Sequence, residues 1–393
     1  MSEAAGEIRD RLGAWCGWVL VGLAGLTPLL AWLSPISFAP VVGLAGLLCL
    51  PALRIGPQER PLAIVLLVAS AWASLSTLWS PHRPALEDSV ALKLFLQIPL
   101  YWAAWCGARR ADPALRRLAL KVLAWGLAAY GVVLLIEAFT GGALYLGLRQ
   151  AIGDPIRPDL GRKNIAQGSF VLALLWPVAA AAGARAGAPK ALAIPMALGT
   201  AILASRFLSD APTIAVGLAI LAGALAWIWP RSAPPAMGLA TAAGIILMPL
   251  VFLLMAGLGL RVSLPLSWAE RMSYWMYATA QIGAHPWRGW GLDASRAFSP
   301  HIQLHPHNGP LQLWLELGLL GAVLAGLIWI FAFRRLARDE RGLLAAATVG
   351  SAAVYVFFGL ISFGVWQEWW LALGALVAVT GALGDAEDTS RRS

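Results

Sequence analysis

The sharpest chemical signal in this 393-residue chain is the run His305-Pro306-His307-Asn308-Gly309-Pro310-Leu311-Gln312-Leu313-Trp314-Leu315-Glu316. Asn308 suits a helix N-cap, and Pro310 suits a first turn, where a missing N–H costs nothing. The spacing predicts a helix beginning near residue 309, with His307 standing just outside it. A helix N-terminus carries partial positive charge and free N–H groups, which favours a bound phosphate and keeps a neighbouring imidazole neutral. Asn308, Gln312 and Glu316 are four residues apart and share one face. Glu316 would sit about 12 Å below the cap at 1.5 Å per residue. A carboxyl that deep in apolar surroundings needs a partner or a water-filled cavity. The same pattern also reads as an Asn-capped packing helix whose Gly318 and Gly321 admit a close neighbour.

The surroundings are indeed apolar. The chain is 59% hydrophobic and 12% charged, against roughly 45–50% and 25% in soluble domains. With 20 Trp, 40 Gly and a mean hydropathy of +0.72, it cannot supply a water-soluble surface. Disordered, collagenous and disulfide-scaffold classes are excluded by the same figures. Cys16, Cys49 and Cys106 all fall inside apolar stretches, so no disulfide framework is readable. The expected fold is an all-α polytopic membrane protein, a single membrane domain over 1–393. About twelve runs approach spanning length: 13–33, 37–53, 62–79, 91–107, 118–139, 165–184, 190–204, 211–229, 236–258, 309–333, 343–363 and 366–383. The first follows a mixed-charge start and should stay as a helix rather than be cleaved as a signal peptide.

Lys and Arg bias sets the orientation. With the N-terminus cytoplasmic, about 18 of the 29 basic residues fall on inside loops and termini, placing both termini in the cytoplasm. The rest are informative. Arg149, Arg157, Arg162 and Lys163 precede the sixth span, Arg206 follows the seventh, and Arg261, Arg271, Arg288 and Arg296 lie before the tenth. Any one of them reads equally well as snorkelling to headgroups. Retained as a set on the outer side, they suggest an anionic ligand. The outer loop 259–308 also holds four of the five histidines and many aromatics, among them Trp268, Tyr274, Trp275, Tyr277, Trp287 and Trp290. Arg271 to Ile282 reads as an amphipathic interfacial helix, broken by Pro286, Gly289 and Gly291. Its aromatic faces suit sugar stacking or a membrane-interface belt.

At these residues the chain resembles the O-antigen ligase family and its relatives, the lipid-linked polysaccharide polymerases. His307-Asn308, nine residues, then Gly318-Leu319-Leu320-Gly321 match that family's His-Asn and Gly-x-x-Gly spacing. Ser205-Arg206 matches its Ser-Arg step, and Glu270-Arg271 with Trp275 its Glu-Arg-aromatic start of the outer loop. Pro286-Trp287-Arg288-Gly289-Trp290-Gly291 is similar to its Pro-x-x-Gly-x-Gly, and Lys163-Asn164 with Ala166 to its Asn-x-x-Ala. These features run from Arg162 to Gly321.

The resemblance implies a GT-C-like fold in the bacterial inner membrane, with a periplasmic active site on the 259–308 side. It implies metal-independent, inverting transfer of a glycan from undecaprenyl diphosphate to a sugar hydroxyl. The acceptor is the lipid A core in a ligase and another lipid-linked glycan in a polymerase. His307, Arg206 and Arg271 are then the catalytic candidates. Asn308, Gln312, Glu316, Arg288, Arg162 and Lys163 are the substrate-binding ones. The expected partners are the carrier-linked glycan, its acceptor and membrane lipid, with no nucleic acid. No outer Asp-x-Asp, phosphate loop or Cys/His metal spacing is present, so neither a cofactor nor a metal is expected. His301, His305 and His307 offer an alternative metal site, though without a nearby outer carboxylate cluster. A transporter or flippase for a lipid-linked anionic glycan is the reading from another class, for which Glu137 and Glu368 would be the membrane-embedded charges.

Overall fold

The structure, a computed structural model, describes residues 2–258 and 266–391. Arg261 and the first residues of the expected outer loop lie outside the described residues. Every regular element among them is helical. In chain order these are α1 (Ser2–Leu33), α2 (Phe38–Leu48), α3 (Arg60–Ser76), α4 (Val90–Arg110), α5 (Pro113–Thr140), α6 (Ala143–Ala151) and α7 (Pro158–Arg185). There follow α8 (Ala193–Arg206), α9 (Asp210–Ile228), α10 (Ala233–Gly257), α11 (Leu266–Ala284), α12 (Gly309–Leu336), α13 (Leu343–Ile361) and α14 (Glu368–Arg391).

Nine helices among the described residues are long and apolar enough to cross a membrane: α1, α3, α4, α5, α7, α9, α10, α12 and α13. The other three expected runs form α2, α8 and α14. A 3-10 turn begun by Pro35 precedes the second run and one holding Pro51 cuts into its end, leaving α2 with 11 residues between them. At 1.5 Å per residue that covers about half a hydrocarbon core. α8 is similarly short at 14 residues. The buried core threads α1, α5, α7 and α14, where Leu127, Leu134, Leu172, Leu175 and Leu373 are fully enclosed.

The bundle has two distinguishable ends. At one, Gly13 O accepts from Asp112 N, and Glu59 pairs with Arg109 and Arg335. At the other, the left-handed Gly141 caps α5, and its carbonyl accepts from Arg162 at 3.2 Å. Phe170 of α7 contacts Phe358 and Phe363 there, tying that end of α7 to the end of α13. His307 lies at this second end.

α12 departs from the sequence expectation. It is broken at Gly318, whose φ of 66° and ψ of −164° are non-helical. The segment ahead of the break, Gly309 to Leu317, carries the Asn308–Gln312–Glu316 stripe. The carbonyls freed by the break are taken up locally. Trp290 N–H donates to Leu315 O, Gly291 N–H to Glu316 O, and Trp72 Nε1–H to Leu317 O, while Leu319 N–H donates to Pro286 O. The two glycine motifs are thus a docked pair of backbones. A Cβ on Gly318 would come within 2.4 Å of Trp287 backbone atoms, and one on Gly289 within 2.3 Å of Glu316 O. Gly318→Ala therefore meets both positive φ and backbone collision, at a cost of about 1–3 kcal/mol for the conformation alone. Detergent-solubilised Gly318→Ala should unfold well below the parent in a thermal ramp. Gly217→Ala, in α9 with open space around it, should leave the midpoint unchanged or slightly raised.

Candidate functional site

The site is built on the C-terminal end of α13. The last carbonyls of a helix have no intrahelical partner, and the helix dipole makes that end attractive to cations. Two expected residues use consecutive carbonyls there. Arg271 donates from Nη1 to Ile361 O at 2.8 Å, and His307 Nδ1 lies 2.9 Å from Ser362 O. A carbonyl only accepts, so Nδ1 carries the proton and the His307 Nε2 lone pair is free. Arg271 is also held over the Trp268 ring at 5.6 Å. Its charge reaches the imidazole: burial, then Arg271, push His307 below the usual histidine range, against the opposing bond to Ser362. A neutral histidine with an open Nε2 beside a guanidinium is the result.

His307 is held in the left-handed region at φ 55°, unusual outside glycine. Its N–H donates to His305 Nδ1 at 3.1 Å, and the rings stand 4.2 Å apart. His305 is buried, and burial, followed by the neighbouring His307, Arg296 and Arg271, lowers it to about 3. Neutral and accepting at Nδ1, it carries its proton on Nε2, 3.2 Å from the Gln367 amide. The otherwise unpartnered buried Oε1 of Gln367 is the matching acceptor once that amide is flipped. His305, Gln367 and the Ser362 backbone were not among the expected site residues. Only the His-x-His spacing hinted at the first, and a carbonyl leaves no side-chain signature.

The polar stripe organises this frame. Asn308 Oδ1 accepts from Leu311 N–H at 2.9 Å, the expected N-cap. Gln312 donates to Glu316 at 3.1 Å and accepts from Val365 N–H at 2.9 Å. Glu316 is fully buried and accepts four protein hydrogen bonds, from Ser295 Oγ, Gln312 Nε2, Asp293 N–H and Trp366 Nε1. Those bonds join α12 to the 293–295 turn and the 362–367 loop. Glu316 and Gln312 thereby fix the segment that presents Ser362. Asp293 stands beside this knot, paired with Arg296 at 2.9 Å and with His82 at 3.6 Å. Burial raises its carboxyl, opposed by Arg296, His82 and Lys93.

The remaining expected residues lie at the same end but in other contacts. Arg206, exposed at the tip of α8, sits over Phe139 at 5.4 Å. Arg288 is exposed over Trp79 at 5.5 Å, Arg162 holds Gly141 O, and Lys163 is exposed on α7. The structure brings together Arg271, His307, Asn308, Gln312 and Glu316, and places Arg206, Arg288, Arg162 and Lys163 in contacts outside that cluster. Several loop aromatics are structural: Trp275 Nε1 donates to Pro306 O and Trp290 Nε1 to Gln281 O. Trp287 is 73% exposed. His301 stacks on Tyr277, and no cluster of three or more metal-ligating side chains exists among the described residues.

Residues 196–326, about a third of the chain, match the O-antigen ligase family. The resemblance carried by the His-Asn and Gly-x-x-Gly motifs is thus shown over the stretch that holds α8 to the first part of α12. A candidate polysaccharide ligase of Rickettsia felis is 27% identical over 125 residues, 28% of this chain and 31% of that one. One from Rickettsia conorii is 28% identical over 125 residues, 28% of this chain and 30% of its own. One from Rickettsia bellii is 34% identical over 79 residues, 20% of this chain and 19% of its own. The similarity thus spans about a third or less of each relative. No solved structure gives a significant match.

The His305 arrangement has a measurable signature. Between the ordinary histidine value and about 3, the unfolded chain binds a proton at this residue that the folded chain excludes. Stability therefore falls as pH drops from about 6.5, at up to about 1.4 kcal/mol per pH unit from this group. Denaturation of the solubilised protein at pH 7, 6, 5 and 4 should show a shallower decline for His305→Gln than for the parent. Parallel declines would mean that His305 takes up its proton over the same pH range in the folded as in the unfolded chain.

Proposed function

We propose that this chain is a membrane glycosyltransferase of the O-antigen ligase type. It moves a glycan from undecaprenyl diphosphate to an acceptor hydroxyl at the periplasmic face of the inner membrane, the acceptor being the lipid A core. The observation that carries this reading is the pairing of Arg271 and His307 on the consecutive carbonyls of Ile361 and Ser362, within a chain that matches the ligase family over residues 196–326.

The chemistry follows from the groups. Diphosphate is a good leaving group, so the transition state chiefly requires cationic stabilisation of the charge growing on phosphate. Arg271 supplies a fixed guanidinium with a forked donor geometry, and Arg206, at the same end, is assigned the second contact. The acceptor oxygen attacks the anomeric carbon, and the bond from that carbon to the phosphate oxygen breaks with its electrons leaving on the diphosphate. The free Nε2 of His307 takes the hydroxyl proton. Attack opposite the leaving group inverts the anomeric centre. Asn308, Gln312 and Glu316 hold His307 in place, while Arg288, Arg162 and Lys163 are assigned to the glycan and its phosphates.

Loss of His307 should cost about 10²–10⁴-fold in rate, the usual worth of a positioned base. In the host, His307→Ala and Arg271→Ala should each abolish glycan attachment, read on lipopolysaccharide gels beside an analysis of lipid-linked intermediates. Long chains accumulating on the carrier identify a ligase, and single repeat units identify a polymerase of the same chemistry. Normal surface glycan in both variants overturns the site.

A further inference from the structure

The end of the bundle opposite His307 holds a feature that the transfer reaction leaves unused. A cavity of about 1610 Å³ extends along α12, from Gly309 and Gly364 at one end to Glu59, Arg109 and Arg335 at the other. Pockets for drug-sized ligands occupy roughly 300–1,000 Å³, so this one has room for a longer molecule. Its walls toward the far end are apolar, with Leu66, Ile98, Ile328 and Trp329 among them.

The far mouth is cationic. Arg109, Arg334, Arg335 and Arg338 line it against two carboxylates, Glu59 and Asp385. Glu59 is 5% exposed and pairs with Arg109 and Arg335 at 3.0 Å each, so one buried carboxylate holds two guanidinium groups side by side. Both also lie over Trp105, at 4.9 and 5.8 Å. Arg338 reaches Asp385 at 2.7 Å, and Arg334 is exposed at the rim. The mouth therefore keeps a positive excess directly above apolar walls. A soluble anion would satisfy the arginines and leave those walls wet, whereas an amphiphile satisfies both.

We propose that this mouth binds one anionic phospholipid, its phosphate among Arg109, Arg334, Arg335 and Arg338 and its acyl chains in the cavity lined by α3, α4, α10, α12, α13 and α14. A molecule with its phosphate here is at the opposite end from His307, so it is not the glycan donor in its reacting position. The proposal is independent of the transferase reading.

The test is native mass spectrometry of the full-length protein in detergent, titrated with phosphatidylglycerol and with phosphatidylcholine of the same acyl chains. Phosphatidylglycerol should bind one per chain and at least about tenfold more tightly. The double substitution Arg334→Gln/Arg338→Gln should weaken it by about tenfold. Ala332→Trp, which fills the cavity wall, should weaken both lipids. Arg231→Gln, at the same end but outside the cavity, should change nothing. Gel filtration confirms folding, and Arg334→Gln alone serves if the double variant does not fold. Equal binding of the two lipids, phosphatidylglycerol binding unaltered by the arginine and Ala332 variants, or its displacement by stoichiometric undecaprenyl phosphate would each overturn the proposal.

Discussion

The site depends on an interruption in a membrane-spanning helix. At Gly318 the hydrogen-bond ladder of α12 stops, and the segment 286–291, with Trp72 of α3, supplies the donors and acceptor that the ladder loses. In apolar surroundings an unpaired carbonyl costs several kcal/mol, so a broken span survives only when neighbouring protein repairs it. Here Trp290, Gly291, Trp72 and Pro286 do so. The repair requires backbone against backbone, which explains why two separate glycine motifs face each other. It also ties the end of α11 to α12, and so fixes where Arg271 stands relative to His307.

A second constraint acts through Glu316. A buried carboxylate is costly unless every lone pair is used, and four donors from three segments use them here. The same bonds that neutralise this cost hold the 362–367 loop against α12. Through Gln312 and Val365 they set the position of the Ser362 carbonyl, which in turn selects the His307 tautomer. The polar stripe predicted from four-residue spacing is thus a frame that holds the loop against which the His307 imidazole rests.

Much of this was legible in the chain. Composition and the apolar runs specified an all-helical membrane protein, because backbone groups in a bilayer can be satisfied internally by helices. The N-cap at Asn308 and its four-residue stripe followed from local rules that hold whatever surrounds the helix. The family motifs pointed to Arg206, Arg271 and His307, of which the structure sets Arg271 and His307 on neighbouring carbonyls and Arg206 over Phe139, and residues 196–326 match that family. Spans were harder to delimit, since 3-10 turns at Pro35–Ser37 and Leu50–Ala52 confine the second apolar run to a helix of 11 residues, and apolar content alone does not register such turns.

Sequence by itself determined the helical class, the cap, the stripe and the residue types able to bind phosphate and accept a proton, because these depend on composition and short-range spacing. Tertiary structure alone decided that Gly318 breaks α12, that His305 and Gln367 support His307, and that Ile361 and Ser362 offer the carbonyls on which Arg271 and His307 meet. Those outcomes rest on backbone groups brought together from segments far apart in the chain, and a backbone carbonyl looks the same at every position of a sequence.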